Sequence, residues 1–169
     1  GGLVLLFFAS SLTPVLRASR RTDVSRALAG LQRADVSDIV APLVKAASAH
    51  PELAADVLVS ADLRGVETHG VSNVMRVYIA SYQEGRINPH PNWKLVQDFP
   101  SAARMDSDFG HGIIMAPKAM RIAIEKVEKT GVGAVTVFNG RHLAMCAYHA
   151  MLALEHDMIG VCMTSGGAQ

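Results

Sequence analysis

The chain has 169 residues, half of them hydrophobic and 18% charged, with 16 Lys and Arg against 15 Asp and Glu. That is globular composition on the apolar side, and a chain of this size can bury roughly 70% of its unfolded surface. A net charge of +1 with no basic run argues against nucleic acid or an acidic membrane as partner. The two cysteines, Cys146 and Cys162, form neither a framework nor a CxxC pair. Both lie in apolar segments, which implies buried thiols in a reducing compartment, and the expected location is cytoplasmic.

Residues 1–22 read as a tail. The run Leu3–Ala9 is apolar but too short to span a bilayer, and it lacks a positive flank before it. Arg17, Arg20 and Arg21 with several serines, and no acid before Asp23, fit an organelle transit peptide; the alternatives are sequence outside the true coding frame or a poorly packed tail. Residues 23–92 read as a helical region and 93–169 as an α/β region. Spacing predicts a helix over Asp38–Ala49 with Pro42 in its first turn. A clearer one opens at Pro51, with Leu53, Val57, Leu58 and Ala61 on one face and Gly65 as its end.

Thr68-His69-Gly70 is then a turn between helices, with Ser72 as cap of a helix that carries Val74, Val77, Tyr78 and Ser81 and ends at Gly85. RINPHPN is a loop, and Trp93–Gln97 and Ala102–Asp106 are short strands. In DSDFGHG two aspartates precede a glycine as in a calcium loop, but the remaining ligands are absent, so no metal is expected. Ile113–Thr130 is the longest helical signal, with Pro117 expected in its first turn, Gly131 as terminator and a Glu125–Lys129 pair on its wet face. Strand Val132–Phe138, a tight turn, helix Ala144–Glu155 and strand Met158–Thr164 follow. This β-α-β order predicts two neighbouring, parallel, buried strands with the helix packed on them. No GxGxxG occurs, so a Rossmann site is unsupported.

The stretch NGRHLAMCAY, residues 139–148, places His142 in that tight turn between strand and helix. Strand and helix hold such a loop rigidly, and an imidazole titrates near neutral pH. The plainer alternative is a hydrogen-bonded histidine at a helix start. His69, in a turn before a helix N-terminus, is placed to meet an anion, or simply to cap the turn. His142, Cys146 and His149 fall at i, i+4 and i+7, so a continuous helix would offer them on one face as a metal site, though a further ligand would have to come from elsewhere.

Residues 64–78, RGVETHGVSNVMRVY, together with NGRHLAMCAY, resemble the type-2 malate/L-lactate dehydrogenase family, itself similar to ureidoglycolate, sulfolactate and diketogulonate oxidoreductases. The resemblance runs from about Pro51 to Ser165 through Arg64, Gly65, Thr68-His69-Gly70-Val71, Tyr78, Gly85, Asn88-Pro89, Asp106, Gly110, Gly112, Asn139, His142 and Tyr148. It implies an α/β fold of mixed α+β type: N-terminal helices plus part of a mixed, non-Rossmann sheet that binds NAD or NADP. The implied activity is hydride transfer between that cofactor and a 2-hydroxy or 2-keto acid such as malate or lactate, in a homodimer. His142 becomes the general acid/base. His69, with Asn73 or Arg76, holds the substrate carboxylate, and cofactor contacts fall on Asn139, Ala144, Thr164 and Ser165. Two positions depart from the family: Asn73 stands where it has arginine, and Ala144 where it has glycine. Family chains are considerably longer, so the sequence is expected to be the first half of such an enzyme, inert alone, with apolar surface left open.

Overall fold

The computed structural model describes residues 2–12 and 51–168. The helix expected over Asp38–Ala49 lies outside these residues. The elements are β1 (Leu3–Leu12), α1 (Pro51–Leu63), a 3-10 turn (Glu67–His69), α2 (Val71–Gln83), β2 (Lys94–Asp98), β3 (Ala102–Asp106), α3 (Gly112–Thr130), β4 (Val132–Gly140), α4 (Cys146–Met151), a second 3-10 turn (Leu154–His156) and β5 (Ile159–Ala168). Among the described residues no helix is long and apolar enough to cross a membrane.

Five strands form one mixed sheet in the order β2-β3-β4-β1-β5. β2 and β3 are antiparallel, and the other pairings are parallel. This corrects two expectations. β4 and β5 share a sheet and a direction but are not neighbours, because β1 runs between them, Leu3 pairing with Val132 on one side and Ile159 on the other. The segment read as a tail therefore supplies a middle strand. The physical reason is visible in LVLLFFA: a strand flanked by parallel partners reads as a continuous apolar run, not as an alternation.

Residues in register share a face of a sheet. Gly133 and Gly160 both pair with Val4 and therefore face one way. A Cβ on Gly133 would strike the Ala123 carbonyl of α3, and one on Gly160 the Ala150 carbonyl of α4. Both helices thus press on the same side of the sheet, over a core of Leu6, Met105, Met115, Met120, Val135, Val137 and Leu143. On the other side Leu3, Val132, Ile159 and Met163 are exposed, an apolar face open among the described residues. A second core joins α1 and α2 to the start of α3: Val57, Leu58, Val74, Tyr78, Ile113 and Ile114 pack with Ala144, Met145 and Tyr148. Tyr148 fastens this seam by donating to the Asp56 carboxylate at 2.6 Å.

Several local expectations are also corrected. α3 starts at Gly112, so Pro117 stands in its second turn; the start is set by His111, whose carbonyl accepts from the N–H groups of Ile114 and Met115. Glu125 and Lys129 form no ion pair. Lys126 instead reaches across to Asp98 and donates to the Phe99 carbonyl at 2.7 Å, tying α3 to the β2–β3 hairpin. Ser72 does not cap α2. The Val71 N–H is capped at 3.0 Å by the Asp62 carboxylate of α1, and Gly70 leaves the room, since a Cβ there would overlap Asp62. α4 begins at Cys146, two residues later than expected, because Ala144 is left-handed (φ 62°) and Met145 extended.

Candidate active site

β4 delivers Asn139 and Gly140 to the rim of the sheet, and the chain passes Arg141 and turns at His142 before re-entering the sheet core at Leu143. The turn is tightly wedged: a Cβ on Gly112 would strike the backbone carbonyls of Arg141 and His142, so α3 starts directly beneath it. The turn between α1 and α2 brings His69 over the same spot. The two rings stack 5.4 Å apart at 19°. Residues 73 positions apart in sequence thus meet within one chain.

Behind His142 stands Tyr78, on the buried face of α2 and only 3% exposed. Its hydroxyl lies 2.7 Å from His142 Nδ1. His111, at the mouth of α3, meets the Tyr78 ring in a T-shaped contact at 4.2 Å and pairs through Nδ1 with the Tyr82 hydroxyl at 3.0 Å. The described contacts leave His142 Nε2 without a protein partner, whereas His111 Nε2 is buried and unpaired. Burial, with His69 close by, pushes His142 down from 6.5 to about 4. Burial and the nearness of His142 push His111 to about 3. Both rings are therefore neutral at pH 7, and the Tyr78 phenol, driven upward by burial and by Tyr82, stays neutral as well.

The other sequence-derived candidates are placed as follows. His69 Nδ1 sits 2.9 Å from Thr68 Oγ1, leaving its other nitrogen for a ligand. Asn73 donates to the Glu67 carbonyl at 2.6 Å and so braces the turn that carries His69. Arg76 is exposed. It precedes Tyr78 by two residues, about 200° around the helix from the residue that touches His142. Asn139 is left-handed (φ 52°), and its amide donates to the Asp106 carboxylate at 3.0 Å. Thr164 and Ser165 are exposed on β5, paired through β1 to the level of the last residues of β4. Ala144 does not join that edge: it is 4% exposed, in the second core. Its left-handed backbone supplies a reason for glycine at this position that involves no ligand.

The anion expected at the N-terminus of α2 is already there, in the form of Asp62. The three-residue metal face is not formed. His142 lies outside the helix, His149 Nε2 pairs with the Leu143 carbonyl at 2.7 Å, and Cys146 shares a hydrogen bond with Cys162, which lowers the Cys146 thiol to about 7. Among the described residues no three His, Cys, Asp or Glu come together as a metal site.

Two features escape a sequence reading. Tyr78 is legible as a helix position and as one of the positions shared with the family, but not as the partner of His142, and nothing in GHG announces that His111 is buried against it.

The malate/L-lactate dehydrogenase profile matches residues 33–169. The chain belongs to that family. It is 45% identical over 114 residues to a malate dehydrogenase of Pyrococcus abyssi, 68% of this chain and 31% of that one. It is 40% identical over 114 residues to an L-sulfolactate dehydrogenase of Methanocaldococcus jannaschii, 68% of this chain and 33% of that one. The solved structure of sulfolactate dehydrogenase from that archaeon superimposes with a TM-score of 0.66 at 35% identity, over 72% of this chain and 36% of that one. The chain thus spans about a third of the length of these relatives, and β1 lies before the stretch matched by the family.

Proposed function

We propose that these residues supply the proton-transfer and carboxylate-binding side of an enzyme that moves a hydride between NAD or NADP and a 2-hydroxy or 2-keto acid. Malate, lactate and sulfolactate are the candidate acids. The observation that carries this reading is the convergence of His69 and His142, with Tyr78 behind and one imidazole nitrogen of His142 left for a substrate.

The nicotinamide supplies or accepts the hydride. His142, neutral at pH 7, takes the hydroxyl proton during oxidation and returns it during reduction, a contribution of about 10²–10⁴-fold in such chemistry. His69 meets the substrate carboxylate. An anion beside the two rings opposes the effect of burial, so substrate binding raises the proton affinity of His142 in the complex where a proton must be held.

Asn139 near the C-terminal end of β4, and Thr164 and Ser165 at the same level midway along β5, are the candidates for the reacting end of a dinucleotide: all three are exposed, and Asn139 lies about 10 Å from the other two across β1. The rest of the nucleotide, and a homodimer, are assigned to the length that the relatives have beyond the matched third. On this reading the 169 residues alone do not turn over substrate.

The test is nicotinamide oxidation by the full-length protein with oxaloacetate, pyruvate and 3-sulfopyruvate, using NADH and NADPH in turn. Turnover of at least one keto acid is expected. No turnover of any with either nucleotide would contradict the reading.

A further inference from the structure

We propose that Cys146 and Cys162 are a redox site: a peroxide converts the two thiols to a disulfide that ties α4 to β5, and a thiol reductant restores them.

The fold sets the pair opposite each other. Alternate residues of a strand share a face, so Gly160, Cys162 and Thr164 lie on one side of β5. That side is the covered one, because Cys162 is in register with Leu6, which is fully buried in the core beneath α3 and α4. Gly160 lets α4 come down directly on the strand, since a Cβ there would strike the Ala150 carbonyl. A helix between two parallel strands returns against their direction, so the step from Gly160 to Cys162 and the step from Ala150 back to Cys146 run the same way. The first covers about 6.6 Å and the second about 6 Å. Cys162 therefore lies beneath Cys146. Both side chains pack against the same core, and the two thiols share a hydrogen bond. A disulfide spans Cα atoms about 4.4–6.8 Å apart, and a larger residue at position 160 would hold helix and strand wider than that. Both cysteines are half-buried, so a solute as small as hydrogen peroxide can reach them.

The shared hydrogen bond divides the labour. It lowers the Cys146 thiol and, with burial, raises that of Cys162, so Cys146 carries the thiolate and the Cys162 S–H donates to it. The thiolate attacks one peroxide oxygen. A sulfur–oxygen bond forms, the oxygen–oxygen bond breaks, and the departing hydroxide takes up a proton to become water. Cys146 is then a sulfenic acid. The Cys162 sulfur attacks the Cys146 sulfur, its proton going to the hydroxide that leaves; the sulfur–sulfur bond forms and the sulfur–oxygen bond breaks. Two thiols have lost two electrons and two protons, and one peroxide has become two waters. The tie falls beside the candidate site: Cys146 follows His142 by four residues and Cys162 precedes Thr164 by two, so the bond joins the segment after the His142 turn to the strand that carries Thr164.

The experiment treats the purified, fully reduced protein with stoichiometric hydrogen peroxide at pH 7 and follows it by mass spectrometry. The expected result is a loss of two hydrogens per chain, a cross-linked peptide pair holding Cys146 and Cys162, and return of both thiols with dithiothreitol. Unreacted thiols, a gain of oxygen in place of the lost hydrogens, or a disulfide between two chains would overturn the proposal. Two variants separate the roles. In Cys162→Ser, where a hydroxyl can still donate to Cys146, oxidation should stop at a sulfenic acid that a cyclic 1,3-diketone traps. In Cys146→Ser the remaining thiol should react on the order of tenfold more slowly than Cys146 does in Cys162→Ser, having the smaller thiolate fraction. Equal rates, or a faster Cys162, would overturn the assignment of the thiolate. The oxidised protein should also need more urea to unfold than the reduced one, because the bond closes a loop in the unfolded chain. An equal or lower midpoint would overturn the tie. None of these readings uses turnover, so they stand or fall apart from the dehydrogenase reading.

Discussion

Two polar clusters flank the end of β4, and they are built on opposite principles. On one side Asp106 accepts from the Asp108 N–H and the Asn139 amide, both at 3.0 Å, while Asp108 accepts from the Asn88 amide and the Asn92 N–H, both at 2.9 Å. Every bond there closes, and the bond from Asp108 leads in holding the Asp106 carboxyl below its ordinary value. This lets Asp108, Phe109 and Asn139 keep left-handed backbones of 49°, 57° and 52°. On the other side His142, His111 and, deeper, His149 are kept neutral by burial, and His111 Nε2 and His149 Nδ1 have no partner. A satisfied network fixes shape. A cluster of discharged imidazoles, with buried nitrogens left unpaired, destabilises the fold, and such costs concentrate where chemistry is done.

Acid should separate the two clusters most strongly. A histidine whose folded pKa is depressed costs nothing above its unfolded value near 6.5; below that value the unfolded chain binds protons that the folded chain refuses, and stability falls. His142 and His149 at about 4 therefore predict a loss that begins near pH 6.5 and deepens toward pH 4, His149 alone contributing on the order of 3 kcal/mol. Asp106, depressed in the folded state, contributes stability that is present above the ordinary carboxylate value and lost only as pH falls below it. Urea titrations at a series of pH values should show the histidine window first. Constant stability from pH 7 to pH 5 would break the contrast.

A smaller effect is expected from Asp108→Ala, which strips the acceptor from two donors. Stability should fall by about 1–3 kcal/mol, while the His142 titration stays in place. A shift of that titration would show that the clusters are one network. Smallest is Asp62→Ala, which uncaps α2 and should cost about 1 kcal/mol in thermal unfolding, a cap being worth that much. A carboxylate ligand should then bind no worse, since Asp62 occupies the helix end as its own anion.

How much of this was legible follows from the kind of signal each part leaves. α1, α2, α3 and the β2–β3 hairpin follow local periodicity, and Gly65, Gly85 and Gly131 end helices in the left-handed conformation that glycine allows. β1 hides in the sequence because LVLLFFA carries no alternation, and an apolar run of that kind looks as much like part of a membrane or targeting segment as like a buried parallel strand. The start of α4 was hidden in the backbone of Ala144, which sequence alone does not reveal. His142 and His69 were legible through family motifs, but their contact, and the place of Tyr78 and His111 behind it, arise from packing between α2, α3 and the end of β4. Such proximity has no local signature. Asp62 as a cap was missed for the same reason: its partner is nine residues away, across a turn.

The central claim is that His142 moves the proton while His69 holds the acid. Steady-state kinetics of His142→Ala and His69→Ala in the active enzyme test it together. The account predicts a kcat lowered about 10²–10⁴-fold for His142→Ala, and for His69→Ala a raised KM for the 2-keto acid with the smaller change in kcat. A near-wild-type kcat for His142→Ala would contradict it.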